Sequence, residues 1–119
     1  MLPKNRRLHR EADITRVLNR GRRVFGKFVT LRFLASPNNS STRVGFIVSK
    51  KVHNKPVKRN LVKRRLRAIV ARALPNIVPN IDVLFSSKSQ AVGATYVQLQ
   101  DESLDLLKKA QIIKEVKNL

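Results

Sequence analysis

Apolar and polar residues alternate in several short stretches of the chain, and this period of two predicts β-strands. In the best example, Val29, Leu31 and Phe33 share one parity of an extended segment, with polar residues between them. The strands predicted in this way cover residues 22–25, 28–35, 43–49 and 81–86. The first of them has the least support.

A period of about 3.6 residues predicts helices in three other stretches. They cover residues 10–20, 56–74 and 95–109. Gly21 fits the left-handed position that closes a helix, and Pro56 suits the first position of the next one. Thr95 and Gln98 have the spacing of a capping box at the start of the last helix.

The predicted order of elements is helix, three strands, helix, strand, helix, which favours an α+β fold. In such an α/β sandwich, helices pack on a small and mainly antiparallel sheet. With 119 residues, the chain is long enough for one domain with a modest core. We expect a single domain over residues 1–119, in which residues 1–7 form a flexible basic arm.

The helix predicted over residues 56–74 has two distinct faces. Its apolar residues span an arc of about 100° around the helix axis, so they can pack on a sheet. They are Val62, Leu66, Ile69, Val70 and Ala73. A neighbouring arc of similar width carries Asn60, Lys63, Arg64 and Arg67. The helix can therefore bury one face while the other face meets a partner.

Positive charge is concentrated around this helix. The net charge is +19, and residues 1–72 hold 21 of the 26 Lys and Arg but only two of the seven acids. Between Lys50 and Arg72 there are ten basic residues and no Asp or Glu. Like charges at this density weaken the fold unless an anion binds beside them. We expect a nucleic-acid partner; a merely solvated charged face is the alternative.

The chain contains few of the side chains that carry enzyme chemistry. Cysteine is absent, which excludes disulfides and thiolate metal sites and fits a reducing compartment. His9 and His53 lie far apart in basic surroundings, where a general base or a metal ligand is not expected. Asp101, Glu102 and Asp105 suit a solvated helix face better than a metal site. We therefore assign neither a catalytic residue nor a protein metal site.

The hydropathy of the chain gives no sign of a membrane or a secretory route. No stretch approaches the roughly 18 consecutive apolar residues of a membrane helix. The basic N-terminus is not followed by the apolar run of a secretory signal. We expect a cytoplasmic protein without a membrane partner.

The basic helix also carries a specific motif. Its sequence Arg59-Asn60-x-x-Lys63-Arg64-x-x-Arg67 resembles the RNR signature of the bacterial ribonuclease P protein component. Three further parts of the chain are similar to that family. They are the segment from Asp13 to Gly21, the strand from Val44 to Lys51, and the Thr95-Tyr96 start of the last helix. The resemblance covers almost the whole chain.

This resemblance implies a fold and a function. In the family fold, the strand–helix–strand crossover around the basic helix is left-handed, which is an exception to the usual handedness. The chain would be the protein subunit of a ribonucleoprotein endonuclease that removes the 5′ leader from precursor tRNA. Its partners would be the ribonuclease P catalytic RNA and precursor tRNA, with no obligate protein partner. Catalysis would reside in the RNA and its Mg²⁺ ions.

The resemblance also implies roles for individual residues. The RNA-binding set would be Lys50, Lys51, Lys55, Lys58, Arg59, Asn60, Lys63, Arg64 and Arg67. A cleft for the leader, between the first helix and the sheet, would be formed by Ile14, Leu18, Phe28 and Leu31. Family members often carry aromatic residues at the positions of Ile14, Leu18 and Leu31. Phe28 would therefore supply the stacking surface in this chain.

Composition and a basic helix alone leave a second function open, that of a ribosomal or other structural RNA-binding protein. A stand-alone nuclease is disfavoured because no nucleophile with an adjacent base is recognisable. The signature favours the ribonuclease P protein.

Overall fold

The computed structural model describes residues 2–36 and 41–114. The helices and strands in chain order are α1 (Glu11–Arg20), β1 (Arg22–Phe25), β2 (Val29–Ala35), β3 (Arg43–Ile47), α2 (Pro56–Ala73), β4 (Ile81–Ser87) and α3 (Tyr96–Lys109). Short 3₁₀ turns cover Lys4–Arg6, Leu74–Asn76 and Ser89–Gly93. This order confirms the predicted α+β arrangement. Within the described ranges, no helix is both long enough and apolar enough to cross a bilayer.

The strands form one four-stranded sheet in the order β1-β2-β4-β3. β2 pairs antiparallel with both β1 and β4, whereas β3 pairs parallel with β4. The sheet is therefore mainly antiparallel, as predicted. Because β3 and β4 are parallel neighbours, α2 between them is the crossover helix. The left-handedness of this crossover stays a prediction from the family resemblance.

Different helices pack on the two faces of the sheet. On one face, α2 and α3 pack over Leu31, Val83 and Phe85 and enclose the main core. On the other face, α1 packs over Leu84, and Val17 and Leu8 complete a much smaller cluster. The central strand β4 therefore has a thick apolar layer on one face and a thin layer beside α1 on the other, whereas β1 is largely exposed.

The apolar face of α2 is buried as predicted. Its members are Val62, Leu66, Ile69, Val70 and Ala73. Leu66 is fully buried, so its replacement by Ala is expected to cost about 2–5 kcal/mol. This buried face fixes the rotation of α2 about its own axis, and the polar arc of the helix must therefore point away from the core.

The ends of two helices differ in how well the sequence predicts them. At the start of α3, the Gln98 N–H donates to Thr95 Oγ1 (3.1 Å) and the Thr95 N–H donates to Gln98 Oε1 (2.9 Å), which confirms the capping box. Gly21, however, is extended (φ −67°), so the predicted left-handed conformation is wrong. A Cβ there would lie 2.4 Å from the Val17 carbonyl oxygen. The Cβ would also lie 3.1 Å from the Phe33 carbonyl oxygen of β2, so a side chain at this position would collide with the end of α1 and crowd the neighbouring strand.

Residues 2–8 pack along the sheet, whereas a flexible basic arm was expected over residues 1–7; Met1 lies outside the described residues. Leu2 and Leu8 are buried, and the Leu8 N–H donates to the Val44 carbonyl oxygen at 2.9 Å. Arg6 Nε donates to the Thr42 carbonyl oxygen at 2.7 Å. The reason is that β3 is an edge strand, and its free backbone groups bind the segment while two leucines anchor it.

Candidate nucleic-acid interface

The polar arc of α2 forms a continuous cationic surface. Asn60, Arg64 and Arg67 are exposed, and Lys63 is half-buried. These positions lie three or four residues apart on an unbroken helix, so successive side chains are neighbours on one face. The structure therefore brings together the four residues that the sequence placed on this arc.

None of these cations is neutralised by a carboxylate in the part of the chain that the structure describes. The ion pairs found there involve Arg16, Arg43 and Lys109, which lie outside α2. A cluster of uncompensated like charges raises the electrostatic free energy of the folded protein. An anionic partner on this face would lower it.

Arg59 is the exception within the predicted RNA-binding set. It is half-buried, and its Nη1 donates to the carbonyl oxygens of His53 (3.0 Å) and Asn54 (3.3 Å). Arg59 therefore fixes the loop that leads into α2, and only part of its guanidinium is free for a ligand. Arg65 has a comparable role on another side of the helix, where Nη1 donates to the Ala94 carbonyl oxygen at 2.8 Å.

The lysines of the predicted set lie in and just after the loop between β3 and α2. Lys50, Lys51, Lys55 and Lys58 are all exposed. Val52 is buried and anchors this loop on the protein, so the loop is not a free tail. The lysines extend the cationic surface of α2 beyond the start of the helix.

A cavity of about 610 Å³ lies between the N-terminal segment, β3 and α2. Its charged or titratable lining consists of Arg7, His9, Lys63 and Arg67, with no carboxylate among the lining residues. Its apolar lining consists of Leu2, Leu8, Ile14, Val44, Gly45 and Phe46. The cationic face of α2 thus continues into a concave surface, which suits an anion that also has an apolar part.

The predicted leader cleft needs a correction at Leu31. Leu31 is fully buried in the main core, on the sheet face that α2 and α3 cover. The β2 residue that faces the side of α1 is its neighbour Arg32, which pairs in register with Leu84. Since successive strand residues point to opposite faces, Leu31 cannot line a cleft beside α1.

Phe28 lies just before β2, and Lys27 Nζ is 5.5 Å from the centroid of its ring. It is half-buried and packs against the main core. Its N–H donates to Glu102 Oε2 (2.8 Å), and its carbonyl oxygen accepts from the Lys88 N–H (2.8 Å). Of the predicted cleft residues, Ile14 and Leu18 remain on α1 near the surface, and Leu18 is 39% exposed.

Arg32 and its surroundings were not identified from the sequence. Arg32 Nη1 donates to Ser86 Oγ at 2.9 Å, whereas its Nε is buried without a hydrogen-bond partner. Burial lowers the pKa of the Arg32 guanidinium, and the positive charge of Arg23 lowers it further. The alternation along β2 could have identified this residue. Arg32 follows the buried Leu31 on the same strand, so its side chain must point to the opposite face of the sheet, the face on which α1 lies.

The acids near this sheet are already engaged. Asp82 is fully buried and accepts from Arg16 Nη2 (2.7 Å) and from Arg43 Nε and Nη2 (2.9 and 2.8 Å). Arg43 also pairs with Asp13 at 3.2 Å. The hydrogen bond with Asp82 raises the pKa of the Arg43 guanidinium, against the opposing effect of burial.

The acids on α3 likewise do not converge on a metal. Glu102 accepts from the backbone N–H groups of Lys27, Phe28 and Val29 at 2.5–2.9 Å, and thereby holds the turn between β1 and β2. Asp105 pairs with Lys109 at 3.0 Å. Across the described ranges, no three His, Asp or Glu side chains are grouped so that they could hold a metal ion.

Comparison with known proteins agrees with this geometry. The sequence model of the family "Ribonuclease P" matches residues 2–111. A ribonuclease P protein component from Pseudanabaena sp. (strain PCC 6903) is 34% identical over 95% of this chain and 97% of the relative. One from Clavibacter michiganensis subsp. michiganensis (strain NCPPB 382) is 34% identical over 92% of this chain and 96% of the relative.

A solved structure shows the same fold. The Staphylococcus aureus RNase P protein superposes with a TM-score of 0.84 at 25% identity, over 92% of this chain and 98% of that protein. Sequence and structure thus agree along nearly the whole length. The chain therefore belongs to the ribonuclease P protein family, whose members are the protein components of an endoribonuclease that acts in tRNA 5′ processing.

Proposed function

We propose that this chain binds the ribonuclease P catalytic RNA and the 5′ leader of precursor tRNA, and so assists endonucleolytic removal of the leader. The observation that carries the proposal is the polar face of α2, where cations lie side by side without a carboxylate partner in the described residues. Family membership supports the identity of the RNA partner.

The residues of α2 are suited to RNA by their chemistry. Arg64 and Arg67 each offer a planar fork of N–H donors that can grip one phosphate with two hydrogen bonds. Lys63 supplies a compact charge beside them. Neutralising phosphates releases condensed counterions, which is the main electrostatic driving force for binding nucleic acid. Asn60 has both a donor and an acceptor, so it can bind a ribose hydroxyl or a base edge.

The leader would pass over the side of the sheet on which α1 lies. Leu18 and Ile14 offer an apolar surface there, and Arg32 adds a cation on β2. Arg32 takes the place in the proposed cleft that the sequence had assigned to Leu31. The protein would thus hold substrate and catalytic RNA together and screen the repulsion between their phosphates.

The chemical step would belong to the RNA. Mg²⁺ held by the RNA and the substrate would stabilise the attacking and leaving oxygens. Within the described ranges no three His, Asp or Glu side chains are grouped, and Asp82, Glu102 and Asp105 are each bound to protein donors. The role left to this chain is binding and positioning, and a cytoplasmic location follows from its proposed RNA partners.

A reconstitution tests the proposal. The protein is mixed with ribonuclease P RNA and precursor tRNA at low Mg²⁺, where unscreened phosphate repulsion limits cleavage by the RNA alone. We expect the protein to stimulate cleavage at the 5′ end of the mature tRNA. Absence of stimulation would favour a ribosomal or other structural RNA-binding function. Cleavage by the purified protein without RNA would place catalysis in the protein instead.

A further inference from the structure

The outer edge of β1 has no strand beside it among the described residues. β1 pairs only with β2 there, whereas the outer edge of β3 is covered by the N-terminal segment. That cover is a parallel bridge of Arg7 with Val44, where the Leu8 N–H donates to the Val44 carbonyl oxygen at 2.9 Å. The described residues thus close one edge of the sheet with an extended peptide and leave the other edge open.

The open edge presents unpaired backbone groups at two residues. In an antiparallel ladder, residues alternate between bonding to the neighbouring strand and pointing away from it. The Gly26 N–H donates to the Val29 carbonyl oxygen at 2.9 Å, so every second residue before Gly26 also bonds to β2. The residues between them are Arg23 and Phe25. Their N–H and C=O groups therefore point outward from the sheet.

The side chains along this edge are cationic, apart from one aromatic ring. Arg22, Arg23 and Phe25 are exposed, and Phe25 is 65% exposed. The guanidinium carbon of Arg23 lies 5.6 Å from the centroid of the Phe25 ring, and Lys88 Nζ lies 5.9 Å from it. Lys88 Nζ is held there by a hydrogen bond to the Gly26 carbonyl oxygen at 2.5 Å. A ligand at this edge therefore meets an apolar ring bordered by positive charge.

No acid of the described residues neutralises this edge. Glu102 is the carboxylate at the turn after β1, and three backbone N–H groups of that turn bind it. Arg22 and Arg23 take part in none of the ion pairs found in the described ranges. Positive charge on both copies would oppose pairing of two β1 edges, as charged residues on edge strands commonly do. An acidic strand, in contrast, is complementary to this edge.

We propose that the outer edge of β1 binds an acidic, extended peptide segment of another protein, which adds a strand to the sheet. Exposed strand edges are a recurrent site of peptide recognition, where backbone hydrogen bonds give affinity and alternate side chains give specificity. The phosphate–ribose backbone of RNA suits this edge less well. It carries acceptors for the outward N–H groups but no N–H donors for the outward C=O groups of Arg23 and Phe25.

The order of side chains along β1 defines the sequence class of the peptide. In an antiparallel pair, directly opposed side chains lie on the same face and interact. An apolar residue opposite Phe25 packs on its ring, and acids opposite Arg23 and Arg22 pair with the two guanidinium groups. Along the peptide, this pattern is an apolar residue, any residue, and then two acids.

Hydrogen–deuterium exchange of single amides, measured by NMR on the full chain, tests the proposal. The probe is a short synthetic peptide with the pattern just described. At saturating peptide, we expect exchange of the outward N–H groups of Arg23 and Phe25 to slow by about tenfold or more. The Val24 N–H already bonds to β2 and serves as the internal reference, with a much smaller change.

Two matched controls separate backbone pairing from attraction between charges. A peptide methylated at the backbone nitrogens that face β1 keeps every charge but loses its N–H donors, and we expect it to give no protection. Arg23→Glu is expected to weaken binding of the unmethylated peptide by about 2- to 30-fold. Lys108→Glu makes the same change of charge at an exposed position on α3 and is expected to have a much smaller effect. Thermal unfolding of both variants is expected to match the wild type, because both positions are exposed.

Four results overturn the inference. One is unchanged exchange at Arg23 and Phe25 in the presence of millimolar peptide. Another is equal protection by the methylated peptide, which would show attraction of charges without strand pairing. A third is stronger protection of the same N–H groups by a single-stranded oligouridylate than by the peptide, which would make the edge an RNA site. The fourth is protection already present in the free protein, which would show that this chain or a second copy covers the edge.

Discussion

Arginine has two opposite roles on the two sides of β3. Beside α1, Arg43 and Arg16 both pair with the buried carboxylate of Asp82. On α2, Arg64 and Arg67 are exposed without an acid within the described residues. Asp82 pairs with arginines that pack on the sheet, whereas α2 contains basic residues and no acid. Charge therefore stabilises the fold in the first region and is available for recognition in the second.

The largest expected effect is a loss of folding stability when the ion pairs of Asp82 with Arg16 and Arg43 are broken. Asp82→Asn removes the charge that two arginines share, and loss of one partner of a buried pair costs about 3–5 kcal/mol. Urea unfolding measures this as a lower free energy of unfolding. The matched control is Asp105→Asn, whose exposed pair with Lys109 is worth at most about 1 kcal/mol. Equal stability of the two variants would contradict the comparison.

A smaller effect is expected when the exposed arginines of α2 are replaced, and it should change RNA affinity but not folding stability. Arg64→Ala and Arg67→Ala each remove charge-assisted contacts to phosphate, at a cost of about 1–3 kcal/mol in binding ribonuclease P RNA. Direct binding measurements at fixed salt give this value. Their unfolding free energies are expected to stay close to that of the wild type, because neither side chain has a partner in the described structure.

Arg65→Ala is the control for net charge on the same helix. Its guanidinium donates to Ala94, away from the proposed RNA face, so stability is expected to fall more than RNA affinity. Wild-type affinity of both Arg64→Ala and Arg67→Ala would exclude this face as the binding surface. An affinity loss for Arg65→Ala as large as theirs would attribute the effect to total charge.

The smallest effect concerns the salt dependence of binding. With roughly five to eight phosphates contacted, log affinity is expected to fall against log salt with a slope of about −4 to −7. Lys63→Ala removes one such contact and is expected to make the slope shallower by about 1. Titrations at several salt concentrations measure this. An unchanged slope would place Lys63 outside the phosphate contacts.

The sequence predicted α2 almost completely because a helix repeats its pattern over many residues. Its five apolar positions fix which side is buried, and the cationic arc follows from them. The cleft was harder to predict. The parity of β2 separates Leu31 from Arg32, but tertiary packing decides which face α1 covers. Leu31 was therefore assigned to the wrong side of the sheet.

Long-range contacts explain the other differences. Asp82 pairs with Arg16 and Arg43, which are distant in sequence, and no local pattern predicts those partners. Glu102 looked like a solvated helix acid, and only the turn before β2 shows that three backbone N–H groups bind it.

The N-terminal segment shields the outer edge of β3 by binding it at Val44. Uncovered strand edges invite other chains to add a strand, which is a common route to self-association. Deletion of residues 2–8 would open this edge and is expected to turn a dispersed protein into one that forms aggregates on concentration. Fusion partners for purification therefore belong at the other terminus of the chain.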